Sequence, residues 1–329
     1  MSAPRSGAPD GDVSEMTVPD ALAGMRVDRV IAFLGGVPRG LAAELVAAGR
    51  VQVHGTPVRR RSQVVTAGDT IRVEGLAPEP DVARPDPTVA FTVVYEDDDL
   101  VVVDKPAGLV VHHGAGHRSG TLVDGLAARY PDLALWRDGP GDDPGRPGIV
   151  HRLDKGTSGL LVVARHASAR DFLTRQFRAH RAGRDYVALV RGVVEADAGT
   201  VDAPIGRSTR DPTRMTVSAG GRGATTHYRV TRRFPGAPYT LLTATLETGR
   251  THQVRVHLAA IGHPVVGDHR YGDRPGAVGQ AATLARGRFF LHAARLSLEH
   301  PTGGPMTWEA PLPADLTAAL AQIEGEEAG

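Results

Sequence analysis

The segment Gly148-Ile-Val-His-Arg-Leu-Asp-Lys-Gly-Thr-Ser-Gly-Leu-Leu-Val-Val163 concentrates the residues best able to do chemistry. An apolar pair feeds a polar loop that returns through Thr157, Ser158 and Gly159 into a second apolar run. Asp154 is thereby presented on a framed turn. A carboxylate held in this way serves as nucleophile or base, or as half of a structural ion pair, and Arg152 and Lys155 beside it would keep it ionised. The chain holds no cysteine. That removes thiol nucleophiles, Fe–S clusters, thiolate zinc sites and disulfides together. Tyr186 lies in an apolar strand and Arg250 and Arg255 lie in a polar one; each has the plain alternative of a core tyrosine or a solvated arginine.

The elements that must carry these residues can be read from pattern. At 329 residues with 41% hydrophobic content, the chain has room for about two ordinary cores. Forty Gly and 24 Pro show no period and fall between apolar runs, as turns do. Met1 to Glu15 lacks the charged start and apolar centre of a leader and reads as part of a disordered tail over 1–16. No run approaches the ~18 apolar residues of a membrane span, so a cytoplasmic location is expected. Thirty-eight basic and 37 acidic residues balance to +1, but they segregate. Seven Arg face two Asp between Arg165 and Arg191, and seven face one between Ile205 and Arg233, which could build a basic face.

Over 17–75, Arg26 to Leu34 reads as an amphipathic helix and Pro38 to Ala48 as a second, ended by Gly49. Short strands follow at Val51–Val53, Gln63–Val65 and Thr70–Val73, with turns at His54-Gly55 and Gly68-Asp69. This order resembles the S4 RNA-binding domain, although Pro38 stands where that family often has Ser. The resemblance implies RNA contacts from Arg39, Arg50, Arg59 and Arg60. The prolines between Leu76 and Thr88 predict a linker over 76–88. Beyond it, over 89–323, apolar runs at Thr92–Tyr95, Leu100–Val103, Gly159–Val163, Tyr186–Val190 and Leu241–Thr245 predict strands. Helices are expected at Thr121–Arg129 and Ser168–His180, the second with a Ser168/Asp171 capping box, and 131–148 as a surface loop. Strands with few helices between them make the fold class α+β.

The run His151-Arg-Leu-Asp-Lys-Gly-Thr-Ser-Gly159 matches the signature loop of RluA-type pseudouridine synthases nearly residue for residue. It does not stand alone. Glu96 to Leu109, Arg184 to Gly192, Thr248 to His257, Gly262 to Asp268 and Leu291 to Ala293 are similar to that family's other motifs, in the family's order, from about residue 90 to 302. The resemblance implies a mixed, mainly antiparallel sheet with a central cleft. It makes Asp154 the catalytic aspartate, Tyr186 the residue that packs on the target base, Arg255 the partner of the aspartate and Arg152 the filler of the vacated stack. His151, Arg250 and His252 are expected to touch RNA. The substrate is then structured RNA, with ribosomal 23S RNA favoured over transfer RNA. A uridine in folded RNA must be flipped out to be reached. Breaking N1–C1′, turning the uracil and joining C5 to C1′ transfers no group and no electrons to a partner, so neither a cofactor nor a metal is required.

Two rival readings come from other classes. His112, His113, His117, His252 and His257 raise a metal-dependent hydrolase, although His252 and His257 are five apart rather than four. A ribosome-assembly factor that only binds RNA is the second; the presence of Asp154, Arg152, Tyr186 and Arg255 together speaks against it.

Overall fold

A computed structural model describes residues 13–328 apart from 36, 38, 77–82, 114–116, 118, 136–145, 212, 235, 273–283 and 286. The chain divides into two compact units, 1–82 and 83–329.

In the first unit, β1 (Val13–Thr17), β2 (Val51–Val53), β3 (Thr56–Pro57) and β4 (Thr70–Glu74) form a sheet in the order β1-β4-β2-β3. Helices α1 (Val27–Leu34) and α2 (Arg39–Ala47) supply Val30, Ile31, Leu41, Leu45 and Val46 to a core shared with Val51, Ile71 and Val73. Gly49 takes φ +71°, the left-handed turn that ends α2. Two expectations are corrected. Val13 to Met16 of the expected tail pair with β4, Val13 facing Glu74, while residues 1–12 lie outside the described set. Gln63–Val65 is not a strand: Val64 makes one bridge, to Arg26, and the flanking backbone bonds to Gly24, Met25, Val27 and Arg60. Pro38 also lies outside the described residues.

The second unit is built on β5 (Thr92–Glu96), β6 (Leu100–Lys105), β7 (Ser158–Ala164), β8 (Gly183–Arg191), β9 (Ala198–Asp202), a small pair β10 (Ile205–Arg207) and β11 (Met215–Val217), then β12 (Thr225–Phe234), β13 (Tyr239–Leu246), β14 (Leu291–Glu299) and β15 (Pro305–Glu309). Apart from β10 and β11 these form one nine-stranded sheet, ordered β5-β6-β7-β14-β8-β13-β12-β9 with β15 on β14. The β7/β14 pair is parallel and the other pairs are antiparallel, so the sheet is mixed. Alternation on β8 divides the layers: Tyr186, Ala188 and Val190 join one core, and Val187 and Leu189 join the other. Helices α3 (Leu122–Arg129), α5 (Ala167–Arg178) and α6 (Gln253–Ala260) pack into the first core; α7 (Ala314–Ala328) brings Leu316, Ala319 and Ile323 to the second.

Three readings change here. Ala83 is buried against Val123 and Ala127, and the Arg84 amide donates to Asp124 at 2.8 Å, so the end of the expected linker packs on α3; residues 77–82, with Pro78 and Pro80, lie outside the described set. Part of the expected 131–148 loop is the short helix α4 (Pro131–Leu135), with 136–145 outside the described residues. The cap of α5 is His166, whose Nδ1 accepts from the Ala169 amide, rather than Ser168, whose hydroxyl lies 2.9 Å from that ring. A capping box does occur on α3, where Asp124 accepts from the amide and hydroxyl of Thr121.

The centre of the sheet is where the signature loop arrives. His292 pairs with Ser158 and Ala293 with Gly159 on one side, and Ala293 pairs with Tyr186 on the other. Gly159 has φ +113°, and a β-carbon there would lie 2.3 Å from the Ala293 carbonyl oxygen. Gly159→Ala is therefore expected to cost about 3 kcal/mol by strain and overpacking, read as a fall in denaturation midpoint. An unchanged midpoint would show that the close approach is not required.

Candidate active site

The loop before β7 is tied down at successive residues. The Thr157 amide donates to Asp154 O at 3.0 Å, the Gly108 amide to Lys155 O at 2.7 Å, and Arg288 Nη1 to Gly156 O at 2.9 Å. Leu153 is buried in the core. The Val162 amide donates to His151 Nε2 at 3.0 Å, which places the ring proton on Nδ1, and the ring stacks on Phe177 with centroids 4.5 Å apart. Burial, reinforced by the nearby Arg184 charge, pushes the His151 pKa down to about 3. This ring is therefore a neutral anchor of the loop that also lines the cavity described below.

Asp154 is left 15% exposed. Its Oδ2 accepts from Arg255 Nη1 at 2.9 Å. Its Oδ1 faces His252 Nε2 at 3.9 Å, too far for a hydrogen bond, and accepts none among the described residues. One oxygen is oriented and the other is available.

Arg255 is itself fixed from α6. Nε and Nη2 donate to the two oxygens of the buried Asp268 at 2.6 and 2.9 Å, and the guanidinium lies between the rings of Phe289 and Tyr271, 4.3 and 4.9 Å from their centroids. Burial opposes its charge, but the hydrogen bonds and fields of Asp268 and Asp154 outweigh burial and raise its proton affinity. His252, at φ +60° just before α6, places Nδ1 2.6 Å from the Tyr271 hydroxyl; burial lowers its pKa and favours a neutral ring. Local sequence pattern gives Asp268 no role beyond its place in the Gly262–Asp268 motif and does not mark Tyr271.

Lys105 was also unassigned. Its fully buried ammonium donates to the carbonyls of Pro106 and Leu109, both at 2.9 Å. Burial brings its pKa down to about 7, against the pull of Asp154 and Asp104. Between about pH 7 and the ordinary lysine value of 10.5, the unfolded chain holds a proton that the folded one does not, so this residue makes stability rise with pH. The urea midpoint of wild type is expected to gain on Lys105→Met between pH 7 and 9. Parallel pH profiles would contradict the assignment.

Asp154, Arg255 and His252 open on a cavity of about 790 Å³ that Tyr186, Arg152, Arg184, Arg222 and Arg250 also line. Tyr186 is 6% exposed, and burial raises its pKa, so its hydroxyl stays protonated at neutral pH. Arg152 is exposed, and Arg250 Nε donates to Gly223 O at 2.9 Å. Arg39, Arg50, Arg59 and Arg60 belong to the first unit and are exposed there; Arg39 reaches the buried Asp28 at 3.6 Å, beside the closer Arg26 at 2.9 Å.

Three of the histidines of the hydrolase reading are engaged away from the site. His113 Nε2 bonds Asp124, His257 bonds Thr226 and Ala203, and His112 Nδ1 meets His113 O. Among the described residues the group with three ligand-type side chains close together is Asp97, Asp99 and His300, which includes none of them. Its carboxylates already accept from Tyr95, His166, Thr302 and backbone amides.

A cationic cleft with an arginine-held carboxylate and a buried tyrosine, on a mixed sheet preceded by a small helix-and-strand unit, suits an enzyme acting on an anionic polymer such as nucleic acid. The family model described as RNA pseudouridylate synthase matches residues 99–260, and that of the S4 domain matches 25–71. Ribosomal large subunit pseudouridine synthase D of Nitrosomonas europaea is 43% identical over 314 residues, covering 94% of this chain and 87% of the relative. An uncharacterized RNA pseudouridine synthase of Chloroflexus aurantiacus is 46% identical, with 94% and 93% covered. The solved structure of human RNA pseudouridylate synthase domain containing 1 superposes with a TM-score of 0.54 at 26% identity, covering 75% of this chain and 98% of that one. This chain belongs to the RNA pseudouridylate synthase family, in its RluA-type branch, and carries an S4 domain. It is an RNA pseudouridine synthase, and the reading as a binding factor alone is not favoured.

Proposed function

We propose that the enzyme isomerises uridine to pseudouridine in large-subunit ribosomal RNA, in the cytoplasm, with Asp154 as the reacting carboxylate. The observation that carries this is the pair of Asp154 oxygens: Oδ2 fixed by Arg255, and Oδ1 unengaged within the cavity that Tyr186 lines. The target uridine leaves its stack and enters that cavity, where the Tyr186 ring offers a face to the uracil. Asp154 then acts at the sugar, either on C1′ or by taking the 2′ proton. The N1–C1′ bond breaks, the uracil turns, C5 joins C1′, and the C5 proton leaves as N1 regains one. Tyr186, being protonated, suits stacking better than proton abstraction. Arg152, exposed and lining the cavity, then fills the vacated stack. The relatives named as synthase D carry "ribosomal large subunit" in their names, which favours ribosomal over transfer RNA. Arg39, Arg50, Arg59 and Arg60 supply sequence-independent phosphate contacts from the S4 domain.

Carbodiimide labelling and mapping of reverse-transcription stops on 23S and transfer RNA transcripts tests the substrate. Stops confined to 23S RNA are expected. Stops confined to transfer RNA would overturn that choice.

A further inference from the structure

Arg184 is a buried cation that pairs with no carboxylate among the described residues. It lies two residues before Tyr186 on β8, so both side chains leave the same face of the strand, about 6.6 Å apart along it. It is 6% exposed. Nη2 donates to the main-chain oxygens of Glu247 and Leu246 at 3.1 and 3.4 Å, the guanidinium carbon sits 5.3 Å from the Phe177 ring centroid, and Nε has no hydrogen bond among the described residues. Nη1 stands where a β-carbon on Gly249 would be 2.8 Å away, so the missing side chain of Gly249 leaves it room. Two neutral carbonyls and a ring do not balance a buried guanidinium.

The surroundings deepen the deficit. Arg152, Arg178, Arg222 and Arg250 line the same cavity, and none pairs with a carboxylate among the described residues. After burial, the nearby Arg222 charge is what lowers the proton affinity of Arg250. Asp154 is the one carboxylate on the described cavity wall, and Arg255 already holds it. The balancing anion therefore has to come with the ligand.

We propose that Arg184 is the interior phosphate contact of the cavity, its guanidinium taking a non-bridging oxygen of a phosphodiester next to the uridine that Tyr186 faces. The planar fork of arginine matches phosphate, whereas a uracil carbonyl is neutral and leaves the charge unbalanced. The exposed Arg152, Arg178 and Arg222 then serve phosphates further out. This rests on the proposed function, since it takes a uridine as the occupant.

The test is equilibrium binding to an RNA fragment around the mapped uridine, with full-length Asp154→Asn protein so that nothing turns over. A single neutral methylphosphonate replaces the phosphate 5′ or 3′ of that uridine. With Arg184 intact, one of the two replacements is expected to weaken binding about tenfold or more. Arg184→Gln should lose a similar factor on unmodified RNA and nothing further on the sensitive methylphosphonate RNA, while Arg184→Lys recovers part of the loss. If neither replacement weakens the Arg184-intact protein, the proposal fails without any reliance on how Arg184→Gln folds. It also fails if the two losses multiply, or if the Arg184→Gln defect vanishes on RNA whose target is an abasic ribose, which would make the contact one to the base. Conversion of no uridine overturns the proposed function and this inference with it; a converted uridine with multiplying losses overturns the inference alone.

Discussion

Asp154→Asn is expected to lower turnover by at least about a thousandfold while RNA affinity stays within several-fold of wild type. The substitution keeps shape and removes the negative charge. It leaves Arg255 paired with Asp268 through two bonds, so the guanidinium is still compensated and the thermal midpoint should move by only a few degrees. The cavity's binding groups are untouched. What is lost is the unengaged Oδ1 as a charged oxygen, which is the atom left to meet the sugar. Quantifying pseudouridine in digested RNA by mass spectrometry, alongside binding by filter retention, separates the two effects. Parallel losses in affinity and turnover would make Asp154 a structural ion-pair partner, the plain reading of a carboxylate beside arginine.

The largest expected effect on stability lies at Asp268. Asp268→Ala removes the partner of Arg255 Nε and Nη2 from a place that is almost wholly buried, and it also removes an acceptor for the Arg270 amide at 3.1 Å. Breaking one side of such a pair leaves a buried charge short of compensation, at about 3–5 kcal/mol, or about 10 °C in midpoint for a unit of this size. Activity should fall too, by about a hundredfold, because Arg255 can then turn toward Asp154 and shift the carboxylate. Asp268→Asn keeps the volume and part of the hydrogen bonding, so it should lie between the two. A normal midpoint and normal turnover for the alanine variant would mean that the α6 arginine needs no second carboxylate.

The sequence made legible what lies close along the chain. Asp154 and its loop were readable because the apolar runs, the two glycines and the polar turn are contiguous, and α1, α2 and α3 followed from apolar spacing. The aromatic and the arginine of the site came through recognised motifs, since nothing in the periodicity of β8 tells a pocket tyrosine from a core one. What stayed hidden depends on non-local pairing. The insertion of β14 between β7 and β8 puts Ala293 against both Gly159 and Tyr186, a register that no local pattern encodes. β1 pairs with β4 across the length of the first unit, so its exposed, polar-looking residues read as tail. Asp268 and Lys105 gained their roles from burial beside partners elsewhere in the fold, and burial of a charge cannot be read from a single chain. His166 displaced Ser168 as the cap of α5 because its ring nitrogen reaches the Ala169 amide, competition that residue preference alone does not decide.

The most direct test of the central claim is release of tritium from 23S RNA transcribed with [5-³H]uridine, because isomerisation must expel the C5 proton. The account predicts release by the wild-type enzyme that matches, mole for mole, the pseudouridine found at the mapped position, and none above background with Asp154→Asn. Release by Asp154→Asn at the wild-type rate, or pseudouridine formed without Asp154, would contradict it.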